Sequence, residues 1–348
     1  MVSFEQSKPF VAMIVVNFVL ATVNVLFKKI IINGGMSHLV IVTYRQSVAA
    51  IFLSPLAYFR ERNDGHKLTL HVVCNLFLNA LIGATLVQYL FLVGLDYTSV
   101  TFSMAFLNMV PINTFVLAIF FGMEKANAKS RAGWAKILGA LVSIGGVLVL
   151  SLYKGMAFGI KEVDREDLDR ENKKRTIGII VLAVGSLMWS SWFLMQAEIG
   201  KIYPCPYSST AMLSFFSAIQ SAVLTLIVER KSSSSWIPKG IFDISSVIYA
   251  GMMGSGLCYV VMSWCVKKKG PVFTAAFSPT IQIFVAIFDV FILLEQIHLG
   301  CIIGSIFVVI GMYILLWGKS HESTVINPSL QKDGEKDGNK MEILIGEK

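Results

Sequence analysis

Ten apolar runs of about 20 residues, each long enough to cross a bilayer as a helix, set the limits on what this chain can fold into. They lie near residues 10–32, 37–59, 70–92, 99–121, 131–153, 176–198, 207–228, 243–265, 272–294 and 300–317. The fold class that follows is an all-α polytopic membrane protein. Composition agrees: only 15% of the 348 residues are charged, where a soluble domain carries about a quarter. The mean hydropathy is +0.68. The formal charge of +8 does not point to nucleic acid, because the bases sit in short clusters between apolar runs, as loop anchors do. The first run has no cleavage site after a short core and ends in "NVLFKK", so it is predicted to stay as a membrane helix rather than act as a signal peptide. Cys74, Cys205, Cys258, Cys265 and Cys301 match no zinc or redox spacing and read as small apolar residues.

Two segments break the pattern. Lys154 to Arg175 holds seven basic and six acidic residues, and the tail from Lys319 onward is charged with Gly and Asn interspersed. Both read as solvated, and the tail as disordered. The predicted organisation is a five-helix repeat over 1–153, a charged linker over 154–175, a second five-helix repeat over 176–317 and a tail over 318–348.

Internal similarity supports the repeat. A shift of 171 lays "AFLNMVPINTFVLAIFFGMEK" (Ala105 to Lys125) over "AFSPTIQIFVAIFDVFILLEQ" (Ala276 to Gln296), pairing Phe106 with Phe277 and Glu124 with Glu295. It also pairs Gly83 with Gly254. A shift of 168 pairs Lys28 with Gln196, and Glu61–Arg62 with Glu229–Arg230. At the shift of 171, Pro111 falls over Gln282 and Pro279 over Asn108, which predicts an asymmetric site. An odd number of helices per repeat makes the second copy enter from the opposite side, so the repeats are expected to be inverted.

Equivalent loops then face opposite compartments and should differ in bases. The loop after the fourth run has Lys125, Lys129 and Arg131, with Lys136 just inside the next helix; its twin, "EQIHLG", has neither Lys nor Arg. The loop after the third run has none, whereas its twin has Lys267, Lys268 and Lys269. Both contrasts put the two termini in the cytoplasm. Arg230, Lys231 and Lys239, and the linker, argue weakly the other way.

Polar residues left inside hydrocarbon are expected to face the bundle interior. Asn17, Asn24 and Lys28 fall within about 40° of one another on the first helix. Gly185, Trp189, Trp192 and Gln196 line the sixth, and Thr274, Ser278, Gln282 and Asp289 the ninth. Such stripes offer a solute amides, hydroxyls and flat apolar walls. Asn108, Pro111 and Asn113 interrupt the fourth run, where the proline is expected to free the carbonyl of Leu107 and kink the helix, with Pro279 as the hinge in the other half. The residues proposed to bind solute are therefore Asn24, Lys28, Asn108, Trp189, Trp192, Gln196, Ser278 and Gln282, with Pro111 and Pro279 as hinges.

Each has a plainer reading. Asn17, Asn113 and Thr274 are equally accounted for by helix packing. Lys28 either snorkels to the surface or binds a carboxylate. Arg45, well inside the second helix, reads as one half of a structural ion pair in preference to a solute contact, with Asp289 a candidate partner. Glu124 and Glu295 read as caps or boundary charges. No metal, cofactor or catalytic set is expected: no acid–histidine pair at helical spacing, no phosphate loop and no zinc ligand set occurs, which argues against a polytopic membrane enzyme. The expected partners are a small-molecule solute and the lipid bilayer, with no oligomeric state implied. All five histidines lie near loops or in the tail, so proton coupling finds no support and a facilitative carrier is preferred.

The residues also resemble a family. "NVLFKK", "GMSHLVIVTYRQ", "SPLAYFRER", "GLDYTSVTFSMAFLNMVP" and "KKKGPVFTAAFSPTIQIFVAI", in that order, are similar to the plant drug/metabolite transporters with paired EamA-like domains, the nodulin MtN21-like or WAT1-related transporters. The resemblance covers residues 8–318. It implies transport of amino acids, auxin or related small metabolites at the plasma membrane or the vacuolar membrane, the former preferred. Nucleotide-sugar or multidrug export is the alternative within the same superfamily.

Overall fold

The computed structural model describes residues 4–32, 36–62, 68–97, 106–107, 109–124, 130–153, 165–228, 236, 238 and 240–293, and eleven positions between 303 and 318. Its regular structure there is helical. The elements are α1 (Phe4–Ile32), α2 (His38–Glu61), α3 (Leu70–Asn79) running through a π-helical turn (Ala80–Leu86) into α4 (Val87–Tyr97), α5 (Val110–Phe120) and α6 (Arg131–Tyr153). The second half has α7 (Arg165–Ile202), α8 (Pro206–Val228), α9 (Ile241–Tyr249) running through a π-helical turn (Ala250–Leu257) into α10 (Cys258–Lys269), then α11 (Pro271–Ala276) and α12 (Ser278–Leu293).

Starts are set by local chemistry. The side chain of Ser37 accepts from Val40 N and that of Thr69 from Val72 N, each at 3.4 Å, supplying first-turn N–H groups that a helix cannot satisfy itself. The start of α8 is capped from a distance: Glu61, the last residue of α2, accepts Tyr207 N at 2.8 Å and Ser208 N at 2.7 Å on its two oxygens. A carboxylate against a helix N-terminus is favourable on charge as well as on bonding.

Among the described residues, six helices are long and apolar enough to span a membrane: Ser7–Phe27, Leu39–Glu61, Leu70–Phe91, Thr176–Ile202, Pro206–Val228 and Ile241–Lys269. These are six of the ten predicted runs. Three more are shorter apolar helices, Val110–Phe120, Gly133–Gly146 and Pro271–Val285. The fourth and ninth runs are interrupted by the breaks described below, and α6 covers the fifth run from Arg131 to Tyr153. The tenth run is described only in part. The charged linker also differs from expectation, since α7 begins at Arg165. Glu166–Arg170, Asp169–Lys173 and Glu171–Arg175 have the four-residue spacing that favours helix in a polar stretch. The tail from Lys319 lies outside the described residues.

Packing between the halves is reciprocal. Helix α5 packs on α7, and α12 on α1; the first π-helical turn packs on α8, and the second on α2; α3 and α4 pack on α7, as α9 and α10 pack on α1. The two π-helical turns carry the paired glycines Gly83 and Gly254. Each glycine lets a neighbour approach: Trp192 lies over Gly83, and Val23 would sit 3.2 Å from a Cβ on Gly254. At the centre α2 lies along α8, where Thr43 donates to Ser221 at 3.2 Å.

The helix breaks are reciprocal too, and here the shift of 171 is corrected. Phe106 and Leu107 are helical, Met109 is in a turn, and α5 restarts at Val110 with Pro111 second. In the other half Phe277 is in the turn, and α12 restarts at Ser278 with Pro279 second. Pro111 and Pro279 therefore occupy the same place in the two halves, at a shift of 168. Proline belongs there because a first-turn residue has no intrahelical N–H bond to lose. It starts a helix instead of bending one.

Candidate functional site

The stripe predicted on α7 forms a polar layer in the middle of the bundle. Gln196 is buried and fully engaged: its Oε1 accepts Asn79 Nδ2 at 2.8 Å, and its Nε2 donates to Ser263 Oγ at 2.8 Å. The amide thus ties α7 to the end of α3 and to α10. One turn along, Trp192 is buried against Gly83 of the π-helical turn, with its ring 5.0 Å from Phe193 and 5.5 Å from Tyr259. Half-buried Trp189 meets Phe91 of α4 edge-on at 6.2 Å. Gly185 completes the line beside Leu90 and Phe91.

Two atoms of this layer have no protein partner, the acceptor Asn79 Oδ1 and the donor Trp192 Nε1. Each buried polar group left unmatched costs about 1–3 kcal/mol. The layer thus holds one donor and one acceptor that no described residue satisfies. Sequence reasoning missed Asn79 and Ser263, because the layer is assembled across three helices. The available signal was Asn79 itself, an amide in an otherwise apolar stretch, "LFLNALIGATL".

The breaks are held by the opposite half. Asn17 of α1 donates Nδ2 to the carbonyl of Phe277 at 2.7 Å, and Ser190 of α7 donates Oγ to the carbonyl of Val110 at 3.1 Å. Asn113 donates to Ser186 Oγ at 2.9 Å. These are packing bonds, as the plainer reading has it for Asn17 and Asn113. Thr274 is buried and bonds its own helix end, the carbonyl of Gly270, at 3.2 Å.

The other predicted positions are spread differently. Asn24 is exposed on α1, away from the layer. Ser278 is half-buried and Pro279 buried at the second break. Asn108 and the side chains of Lys28, Gln282 and Asp289 lie outside the described residues. Glu124 and Lys136 are not boundary charges: they form an ion pair at 3.2 Å, with the side chains 11% and 1% exposed. Gln46 of α2 is fully buried with neither end of its amide bonded.

Comparison with known proteins decides the family. The profile of the EamA-like transporter family matches residues 8–152 and 176–317. The chain belongs to the EamA-like transporter family. Three WAT1-related proteins of Arabidopsis thaliana are 47%, 44% and 39% identical to it over 333, 317 and 349 residues. The alignments cover 93%, 89% and 97% of this chain and 91%, 86% and 96% of theirs. A protein of known crystal structure superposes with a TM-score of 0.66 over 91% of this chain and 99% of its own, at 13% identity, a likeness of fold alone. As an EamA-like transporter, this is an integral multi-pass membrane protein. Its buried polar layer and its two helix breaks are accordingly the places to seek the solute.

Proposed function

We propose that this EamA-like transporter is an alternating-access carrier of small organic solutes, amino acids or auxin-like metabolites, that runs down the solute gradient. One observation carries the reading. Each half contributes a helix broken at a proline, Pro111 or Pro279, and each break is seated on the first helix of the opposite half. Discontinuous helices at the junction of two repeats are the arrangement in which carriers hold solute while one half rocks against the other.

In this reading the ten apolar runs are ten membrane helices in two inverted repeats, supported by the reciprocal packing of α5 on α7 and α12 on α1. Both termini are cytoplasmic and the membrane is the plasma membrane. Trp189 and Trp192 take the apolar body of the solute. Gln196, with Asn79 and Ser263, takes its polar end by exchanging bonds as the halves move. Lys28, Asn108, Ser278 and Gln282 line the path between the breaks, and Asn24 its exposed mouth. Nucleotide-sugar export is the competing reading.

Counterflow in proteoliposomes, with labelled amino acids, indole-3-acetate and a nucleotide sugar side by side, tests this. Movement of an amino acid or of indole-3-acetate is expected, unaffected by a protonophore when no pH gradient is imposed. Movement of the nucleotide sugar alone, or of nothing, contradicts the reading.

A further inference from the structure

The cation of Arg45 has no assigned role. It lies in the span Leu39–Glu61, seven residues after the start of α2 and so about 10 Å along it at 1.5 Å per residue. A guanidinium cannot shed its charge at physiological pH, so at such depth it needs an anion, carbonyls or water around it. Among the described residues no carboxylate pairs with it, and its Nε is buried without a hydrogen-bond partner. The partner suggested by the sequence, Asp289, has its side chain outside the described residues, and no described carboxylate forms the pair.

Arg45 sits against an aromatic ring and a close helix junction. Its guanidinium lies over the ring of Phe27 on α1, 5.8 Å from the centroid. Stacking on a ring face leaves the N–H edge of the fork directed sideways, the edge that binds a carboxylate through two parallel bonds. The backbone of α2 at Arg45 is tightly packed. The second π-helical turn comes so near α2 that a Cβ on Gly251 would fall 2.6 Å from Val48 and 2.9 Å from the carbonyl of Arg45. The same junction of α1, α2 and α9 holds a hydroxyl pair, Thr22 Oγ1 and Tyr249 Oη at 3.0 Å.

We infer that Arg45 is the carboxylate-binding residue of the carrier, clasping the acid group of the solute on its guanidinium edge while Phe27 holds the guanidinium flat. The inference rests on the transport reading above and assigns to Arg45 the preference for a carboxylate over its neutral carboxamide. It places the acid group at the end of the path nearest the α1–α2 turn, apart from the tryptophan layer on α7.

The test uses the full chain in proteoliposomes, as wild type, Arg45→Gln and Arg45→Lys. The probes are labelled L-glutamine and indole-3-acetate, each set against its carboxamide. Loss of two charge-assisted hydrogen bonds is expected to raise KM for the carboxylates by roughly 10- to 100-fold in Arg45→Gln. Arg45→Lys should recover part of that loss. Carboxamide transport should be unchanged in both variants. Carboxylate KM equal to wild type in Arg45→Gln overturns the inference, and so does equal loss of acid and carboxamide in a variant that stays monodisperse.

A second readout separates this inference from the transport reading: the rise in unfolding temperature of the detergent-purified protein on adding indole-3-acetate or L-glutamine. A rise that needs Arg45 and the free carboxylate, in a wild type that moves nothing, keeps the anion site and overturns transport. No Arg45-dependent rise, in a wild type that moves carboxylates, overturns the anion site and leaves transport standing.

Discussion

Replacing Lys136 by alanine is expected to destabilise the protein by about 1.5–3 kcal/mol, because its charge-assisted hydrogen bond to the carboxylate of Glu124 is lost inside the bundle. The two groups are 3.2 Å apart, Lys136 is 1% exposed, and α6 holds it inside the bundle beside the end of α5. Glu124→Ala alone should cost a similar amount, since it removes the same bond from the carboxylate side. The double variant Lys136→Met with Glu124→Leu removes both charges and keeps much of the volume, so it should recover most of the loss. Thermal unfolding of the purified variants, followed by intrinsic fluorescence, measures this. Equal stability of the single variants and the wild type would mean that the pair is solvated and contributes little.

Gly139→Val is the second large effect. Helix α6 crosses the helical positions near 311–315 so closely that a Cβ on Gly139 would fall 2.6 Å from the carbonyl of Gly311 and 2.9 Å from Leu315 Cα. The reciprocal Cβ on Gly311 would meet the carbonyl of Gly139 at 2.6 Å. These neighbours are backbone, so no side-chain rotation relieves the clash, and the helices must separate. Membrane helices associate through such close packing of small residues, since lipid gives them no hydrophobic drive to associate. About 3 kcal/mol or more should be lost, at or beyond the upper end for overpacking. The monodisperse fraction of Gly139→Val on size exclusion should collapse, while Gly145→Val, with nothing within 4 Å of its Cβ, should behave as wild type.

Much of the helical order was legible because apolar length and the absence of charge decide it. Ser7–Phe27, Leu39–Glu61, Leu70–Phe91, Thr176–Ile202, Pro206–Val228 and Ile241–Lys269 all fall on predicted runs. The breaks were half legible. Pro111 marks the first, yet matching the side chains of two apolar runs gave a register of 171, three residues away from the 168 at which the prolines coincide. That difference is nearly one helical turn, and an apolar face looks much the same after one turn. Once the break is located, the two halves are more alike than the shifted sequences suggested.

The site was less legible, since its bonds run between helices. Gln196 was predicted on a solute-facing stripe, but nothing in its own helix shows that Asn79 and Ser263 take up its amide. Glu124 sits at a helix end in the sequence and looks like a boundary charge; only the packing of α5 against α6 brings it to Lys136, largely out of solvent. Arg45 was assigned to an ion pair because a charge at that depth needs a partner. The requirement holds, and the described residues supply no carboxylate to meet it.

Inversion of the two halves underlies the whole account, and the sidedness of two equivalent positions tests it most directly. Leu68 and Gly240 are exposed and lie just before the third helix of each half, ahead of α3 and α9. Single cysteines would be placed there, as Leu68→Cys and Gly240→Cys, in a background with the five native cysteines replaced by serine. A membrane-impermeant maleimide added to intact cells is predicted to label Gly240→Cys and to reach Leu68→Cys only after permeabilisation. Labelling of both on intact cells, or of neither before permeabilisation, would put the two positions on one side of the membrane and contradict the inverted repeat.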